Sequence, residues 1–347
     1  MTATSRHQQR AMGRIASLAV AIALCLPVLA HAQAGPVGVS TRVWASNGQK
    51  VRWPAIAYDS ENRLYLAVSE WGGRIVGQLI DSAGSASGGP FGISNGALYA
   101  QAPRVEYSPD AKGFLVTWHS SESSSTAAVR GQIVPTKNIP ASGLGTLLSD
   151  SPYSTFWEQA PAIAYSPTSK RFLVAWPARD ASGWLDIRAR FVDNAGQPIG
   201  AGVDITTTRG DWDHDPAVGY IPDGDLFVVG YAGWDEGSQY SFIRYRSVGP
   251  TGTLGTVKQV SAASATYIPE FAYNTATDAL LLGWAQWDPT AGATRLYGVM
   301  LDATATLLSA TPTKFSAAFG AYDANSVAYN PVSDTFFVVT HGTGYED

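Results

Sequence analysis

Apolar and polar positions along this chain alternate in short runs with a period of two rather than 3.6. Residues 161–176, PAIAYSPTSKRFLVAW, consist of two apolar runs around a polar turn, which predicts two strands joined as a hairpin. Segments such as 185–196 (LDIRARFVDNAG) alternate strictly before a turn that contains glycine. Beyond residue 32, no segment has a helical period over ten or more residues, so the pattern predicts an all-β protein.

The hairpin recurs six times. Taking the tyrosine of PAIAY as the origin of each copy, which we call the repeat tyrosine, the copies are separated by 49, 58, 55, 53 and 56 residues. Self-similarity at such a period is typical of repeat architectures. The six repeat tyrosines are Tyr58, Tyr107, Tyr165, Tyr220, Tyr273 and Tyr329.

Other positions keep the same register. A large apolar residue stands seven positions after each repeat tyrosine, and a proline stands four positions before five of the six. Tryptophan stands eleven positions after three of them (Trp118, Trp176 and Trp284), on the apolar strand face, and we expect these rings to be buried between neighbouring units.

Each unit then continues with an alternating third strand and a short fourth strand, for example FGIS (91–94), VDITT (203–207) and VKQVS (257–261). Four antiparallel strands repeated about an axis predict a β-propeller of six four-stranded blades. We assign residues 33–347 to this single domain. The sixth unit has no third strand in the sequence, so we expect the last blade to be incomplete.

The amino terminus predicts a secretory signal peptide over residues 1–32. Three arginines precede the apolar run 15–29, which ends at Ala30-His31-Ala32 and is too short to span a bilayer. The protein is therefore expected to be secreted or periplasmic. Cys25 is the only cysteine, so removal of this segment leaves no disulfide and no cysteine-based zinc site.

The net charge limits the classes of molecule that the protein is expected to bind. Without the three leader arginines, 20 Lys+Arg stand against 28 Asp+Glu, a net charge of −8 with no basic cluster. Nucleic-acid binding draws most of its affinity from phosphate neutralisation, so this composition excludes nucleic acid as a partner. We expect no membrane insertion and a monomer.

The repeat register also predicts a binding site. In a propeller the first strand lies beside the axis, and the loops that enter it emerge on one face, where binding sites concentrate. Six positions before the repeat tyrosine the residues are polar but all different, unlike the uniform packing positions. We call these six residues the mouth ring: Arg52, Gln101, Gln159, His214, Tyr267 and Asp323. We predict that they contact a ligand. The alternative is that they are loop residues that are polar only because they are solvated.

Aromatic residues in the same loops suit sugars, because rings stack on C–H faces while amides and carboxylates bind hydroxyls. Trp157 and Trp212 are the predicted stacking platforms. The leading functional prediction is a non-catalytic exported propeller that binds a carbohydrate or a surface protein.

Two alternatives remain open. The first is a glycoside hydrolase or polysaccharide lyase that uses the same cavity, for which two carboxylates across a bound sugar are needed; candidates are Glu158, Asp213 and Asp323. The second is a structural propeller that serves as a scaffold in a longer surface protein.

No cofactor is expected, with calcium as a weaker possibility. DWDHDP (211–216) carries three carboxylates at alternate positions, but it lacks the glycine and distal glutamate of a calcium-binding loop. The three histidines after the leader (His119, His214 and His341) fall on the loop face in alternate units, which is a second, weaker pattern for a metal site.

The repeat pattern P-x-[IVF]-x-Y … F-L-V-x-W … D-x-x-G resembles the repeat regions of many exported bacterial proteins. The resemblance covers most of residues 50–340. It implies the propeller fold and export, and it carries no activity or catalytic residues.

Overall fold

The structure is a computed structural model, and the residues it describes belong to one compact unit, 41–347. The predicted signal peptide lies outside the described residues. Within them, no helix has the length and apolarity needed to cross a membrane. The described residues are 51–123, 126–150, 153–154, 160–179, 183–207, 211–235, 237–238, 240–315 and 325–340.

Each repeat unit begins with the predicted hairpin. The first strands of units one to six are β1 (Val51–Asp59), β5 (Ala100–Ser108), β10 (Ala162–Ser166), β14 (Asp211–Ile221), β18 (Thr266–Asn274) and β22 (Asn325–Asn330). The second strands are β2 (Leu64–Trp71), β6 (Gly113–Ser121), β11 (Arg171–Arg179), β15 (Leu226–Asp235), β19 (Ala279–Asp288) and β23 (Thr335–Thr340).

Units one to five add outer strands. The third strands are β3 (Arg74–Asp81), β7 (Thr126–Pro135), β12 (Leu185–Val192), β16 (Tyr240–Val248) and β20 (Ala293–Leu301). The fourth strands are β4 (Phe91–Gly92), β8 (Thr146–Leu147), β13 (Pro198–Asp204), β17 (Lys258–Gln259) and β21 (Thr313–Lys314). A further short strand, β9 (Tyr153–Ser154), also pairs with β7.

The four-stranded units form antiparallel meanders in sequence order, as in β1-β2-β3-β4 and β18-β19-β20-β21. The sheets of units three and four are joined by one parallel bridge, Leu185 to Trp212. In the described residues, unit six consists of β22 and β23 alone. The predicted all-β propeller of four-stranded blades is confirmed.

The hydrophobic core lies between consecutive units rather than within them. Four apolar clusters each combine residues of two neighbouring units, for example Leu66 and Val68 of unit one with Val105 and Phe114 of unit two. The predicted burial of the tryptophan position is confirmed, since Trp118, Trp176 and Trp284 are all at most 1% exposed. Units are therefore held together by apolar burial, which is the dominant favourable term in folding.

Small residues on one unit accommodate large residues on the next. A Cβ added at Gly219 of unit four would lie 2.8 Å from the Cγ of Phe271 in unit five. We call the positions three and one before the repeat tyrosine the inner wall. In four of the six units both inner-wall positions are Ala, Gly or Ser: Ala55 and Ala57, Ala162 and Ala164, Ala217 and Gly219, Ser326 and Ala328.

The repeat tyrosine helps to fix the turn after the first strand. In units four to six its hydroxyl donates to an aspartate five positions on, as in Tyr220 to Asp225 at 2.9 Å and Tyr273 to Asp278 at 3.0 Å. Asp225 also accepts a hydrogen bond of 2.6 Å from Ser166 of the preceding unit. The tyrosine therefore recurs because this network ties the turn to its own strand and to its neighbour.

The recurring proline has a local cause as well. In β1, β5, β14 and β18 the ladder register shifts between the positions six and three before the repeat tyrosine. The residue between the mouth ring and the proline has a positive φ of 49–57° in each: Trp53, Ala102, Asp215 and Ile268. A β-bulge leaves one residue outside the ladder, and proline, which has no N–H to donate, is tolerated there.

Candidate functional site

The bulge separates the mouth ring from the inner wall on each of these four strands. Bulges bend a strand and re-aim its side chains, and they are over-represented next to active sites. The same element thus positions the predicted ligand contacts and the residues that follow them along the first strand. The bulge was not anticipated from the sequence, although the recurring proline was its visible signal.

The structure describes four of the six mouth-ring residues. Arg52 is exposed, and Gln101, His214 and Tyr267 are half-buried, each immediately before the bulge of its strand. Gln159 and Asp323 lie outside the described residues, as does the predicted stacking residue Trp157. Their role as ligand contacts stays a prediction.

Trp212 packs against the preceding unit. Its ring lies edge-on to Trp184, with 6.4 Å between ring centroids, and the Arg179 guanidinium carbon lies 5.1 Å from the ring centroid. Other aromatic side chains at the same end of the sheets are more open: Tyr99 is 49% exposed, Trp234 38% and Tyr240 51%. These three offer more accessible surface for stacking than Trp212 does.

Three ionisable residues break the small-residue rule of the inner wall. Unit two has Arg104 and Glu106 where other units have alanine, and unit five has Glu270. All three side chains are half-buried. Residues that violate a local packing rule are expected at functional sites, so these three stand out as candidates.

These residues come together although they are distant in sequence. The negative charges of Glu270 and Asp215 both act on the Arg104 guanidinium, opposing the burial that lowers its pKa. Arg104 lies on β5, Asp215 on β14 and Glu270 on β18. Three first strands, of units two, four and five, therefore carry charged side chains that act on one another.

The two inner-wall glutamates hold their protons unusually tightly. Burial raises the pKa of Glu106 to about 8. Burial also raises the pKa of Glu270 to about 7, with the Arg104 charge acting in the opposite direction. A carboxyl group with a pKa near 7 can donate a proton at neutral pH, which an ordinary glutamate cannot do.

Asp215 differs from the glutamates because it is paired. Its Oδ2 lies 3.0 Å from Nδ1 of His214. Burial alone would lower the pKa of His214, but the carboxylates of Asp215 and Asp213 raise it above its ordinary value.

The other predicted acids are placed differently. Asp213 is 1% exposed, with its Oδ1 4.0 Å from Nη1 of Arg244 in the same unit. Glu158 and Asp323 lie outside the described residues. Variable polar positions do not identify Arg104, Glu106 and Glu270, whose signal in the sequence is charge at an otherwise small-residue position.

Neither metal pattern forms a cluster in the described residues, where no group of three or more His, Cys, Asp or Glu side chains could hold an ion. DWDHDP proves to be the start of β14. His119 is 3% exposed, and burial lowers its pKa to about 4, while His341 is not described.

Comparison with known proteins gives a likeness of fold. No protein family and no curated protein matches the chain. A protein of unknown function from Dyadobacter fermentans matches with a TM-score of 0.57 at 11% identity, over 81% of this chain and 87% of that one.

Glycoside hydrolases match as well. The α-L-arabinofuranosidase of Lactobacillus brevis has a TM-score of 0.46 at 13% identity, over 78% of this chain and 96% of its own. The GH43 endo-arabinanase of Bacillus licheniformis has a TM-score of 0.40 at 13% identity, over 75% and 97%.

These neighbours correct the leading functional prediction. The sequence predicted a non-catalytic binder, whereas the two enzymes named above are glycoside hydrolases. The prediction of a non-catalytic binder is therefore wrong. Export, which the sequence resemblance implied, stays a prediction, and the likeness itself shows the propeller fold.

Proposed function

We propose that the protein is a glycoside hydrolase whose catalytic carboxyl groups are Glu270 and Asp215. Glycosidases need one carboxyl group that is protonated at the working pH and a second that is ionised, on either side of the scissile bond. The observation that carries the proposal is the convergence of these two residues on Arg104 in different electrostatic settings.

The proposed division of labour follows from the surroundings. Glu270 is the general acid, because burial raises its pKa to about 7 and keeps a proton available for the leaving oxygen. Asp215 is the base or nucleophile, because His214 lies 3.0 Å from its carboxylate. Arg104 offsets the negative charge of the pair.

A carbohydrate substrate is consistent with the rim of the site. Tyr99, Trp234 and Tyr240 are exposed aromatics at the mouth end of the sheets, where flat rings can stack on sugar faces. The mouth-ring residues Gln101 and Tyr267 are polar groups available for sugar hydroxyls. We propose that the mouth ring contacts the substrate.

The direct test is hydrolysis of a panel of oligosaccharides that includes arabinan and β-1,3-galactan fragments. The release of reducing ends measures the reaction. Glu270→Gln and Asp215→Asn should each lower kcat by about 10²–10⁴-fold, the usual contribution of acid–base groups. The matched controls Glu61→Gln and Asp223→Asn change exposed turn residues and should retain activity. Equal activity in all four variants would refute the assignment.

The pH profile provides a second test. The rate should fall as pH rises through about 7, because Glu270 then loses the proton that it must donate. In the Glu270→Gln variant the residual rate should no longer show this decline. A wild-type profile that stays flat from about pH 6 to about pH 9 would contradict the role of Glu270.

A further inference from the structure

Glu106 is the one ionisable inner-wall residue that the proposed reaction does not use. It stands one position before the repeat tyrosine of unit two. The other five units have only alanine or glycine at this position: Ala57, Ala164, Gly219, Ala272 and Ala328. The repeat therefore does not require a glutamate here, and its presence calls for an explanation that is particular to unit two.

Glu106 lies on the same strand face as Arg104, one layer farther from the mouth ring. Alternate residues of a strand share a face and each residue rises about 3.3 Å, so the two Cα atoms lie about 6.6 Å apart. The ladder between β5 and β6 is regular over this stretch, from Arg104 opposite Thr117 to Glu106 opposite Leu115. A molecule that contacts Arg104 and extends along β5 away from the mouth ring therefore meets Glu106 next.

The surroundings of Glu106 keep its carboxyl group neutral. Leu115, directly opposite on β6, is fully buried in the apolar cluster between units two and three. Burial alone raises the pKa of Glu106 to about 8. The side chain is nevertheless only half-buried. A neutral carboxyl group both donates and accepts hydrogen bonds, as a sugar hydroxyl does.

The second strand of unit two departs from the repeat at the same place. Thr117, opposite Arg104, holds a position that is apolar or glycine in every other unit: Val68, Ala175, Gly230, Gly283 and Val339. Its side chain is fully buried, and its hydroxyl has no hydrogen-bond partner in the part of the chain that the structure describes. Because an unpaired buried hydroxyl is unfavourable for folding, stability does not explain the polar groups on this face of unit two.

We propose that Glu106 is a substrate contact, whose carboxyl group exchanges hydrogen bonds with a hydroxyl group of the sugar unit bound beside Arg104. This inference rests on the proposed hydrolase activity and extends it from the reacting groups to the recognition of the sugar. A sugar hydroxyl fits this place better than a sugar carboxylate, because Asp215 and Glu270 already act on the charge of Arg104.

The test compares two substitutions of Glu106 in binding and in catalysis. Glu106→Ala gives unit two the residue that four other units have, so the fold should be retained. Calorimetric titration with arabinan and β-1,3-galactan oligosaccharides should show about tenfold weaker binding for Glu106→Ala than for the wild type. In hydrolysis, KM should rise by the same factor while kcat stays unchanged.

Glu106→Gln is the conservative variant, because its amide also donates and accepts hydrogen bonds. It should bind the same oligosaccharide within about threefold of the wild type. The matched control is Glu61→Gln, which changes an exposed turn residue and should bind as the wild type does.

The outcomes separate this inference from the proposed activity. Hydrolysis with the same KM in the wild type and in Glu106→Ala would overturn the contact and leave the hydrolase assignment intact. Binding that Glu106→Ala weakens, without hydrolysis by the wild type, would support the contact and refute the assignment. Failure of the folded wild-type protein to bind either oligosaccharide would overturn the contact.

Discussion

Units two and three carry different residues at the same two inner-wall positions. Unit three has Ala162 and Ala164, which are 6% and 8% exposed and give the next unit room to pack. Unit two has Arg104 and Glu106, whose charged groups are half-buried. The same two repeat positions thus serve packing in one unit and carry charge in another.

The difference shows how a repeat protein can carry a site without changing its scaffold. Most copies of a position keep the small residue that the neighbouring unit requires. Charge occurs at these positions in only two units, as Arg104 and Glu106 in unit two and as Glu270 in unit five. A charged group buried elsewhere on the wall would have no partner, and its desolvation would be very costly.

The largest effect is expected from moving the charge of unit two into unit three. Ala164→Glu would place a carboxylate in the apolar cluster that contains Phe191 and Phe227, and it should lower the free energy of unfolding by about 3–5 kcal/mol. Urea unfolding measures the change. Ser60→Glu is the control, because Ser60 lies in an exposed turn. Equal stability of the two variants would contradict the packing role of this position in unit three.

A smaller effect is expected where only volume is added to the packing surface. A Cβ at Gly219 would lie 2.8 Å from Cγ of Phe271 and 2.9 Å from Cδ2 of Leu280. Because the ring cannot retreat without moving its strand, Gly219→Ala should cost about 1–3 kcal/mol of stability.

Gly283→Ala is the matched control for that substitution. A Cβ at Gly283 would make only ordinary contacts, 3.5 Å to Val327 and 3.8 Å to the Tyr297 carbonyl oxygen. Its melting temperature should stay close to that of the wild type. A larger loss of stability for Gly283→Ala than for Gly219→Ala would contradict the packing described between units four and five.

The smallest effect on stability is expected from Glu106, a charged residue of the inner wall. The folded-state pKa of Glu106, about 8, lies above the ordinary value of 4.5, so the folded protein binds this proton more tightly than the unfolded chain does. The contribution of Glu106 to the free energy of unfolding is therefore full below about pH 4.5 and falls as pH rises towards 8.

Glu106→Gln removes this titration, so its stability should decline less than that of the wild type between about pH 5 and about pH 9, by on the order of 1 kcal/mol. Urea midpoints at the two pH values measure the difference. Glu61→Gln, in an exposed turn, should behave as the wild type does. Identical pH dependence in all three proteins would show that Glu106 is not held in its protonated form.

Much of the fold was predictable because its signals are local and repeated. Alternation of apolar residues gave the strands, and the regular spacing of the repeat tyrosines gave the blades. The burial of Trp118, Trp176 and Trp284 followed from strand parity alone. The bulges and the hydrogen bonds of the repeat tyrosines were not predicted, since each depends on backbone geometry that a residue pattern only hints at.

The sequence predicts a binding site at the first strands, but not the residues on which the proposed function rests. The sequence placed a cavity at the converging first strands and selected the mouth ring, whose binding role stays a prediction. It passed over Arg104, Glu106 and Glu270, which occupy positions that look like packing positions in most units. Aligning the six copies and asking where charge replaces alanine would have found all three.

The sequence by itself determined the repeating sheets, since alternation and turn residues act within a few neighbours along the chain. Only the tertiary structure decided which charges meet, because Arg104, Asp215 and Glu270 lie on three different units and influence one another solely through space. Their proton affinities follow from that placement, as desolvation and charge proximity have no counterpart in the linear order of residues.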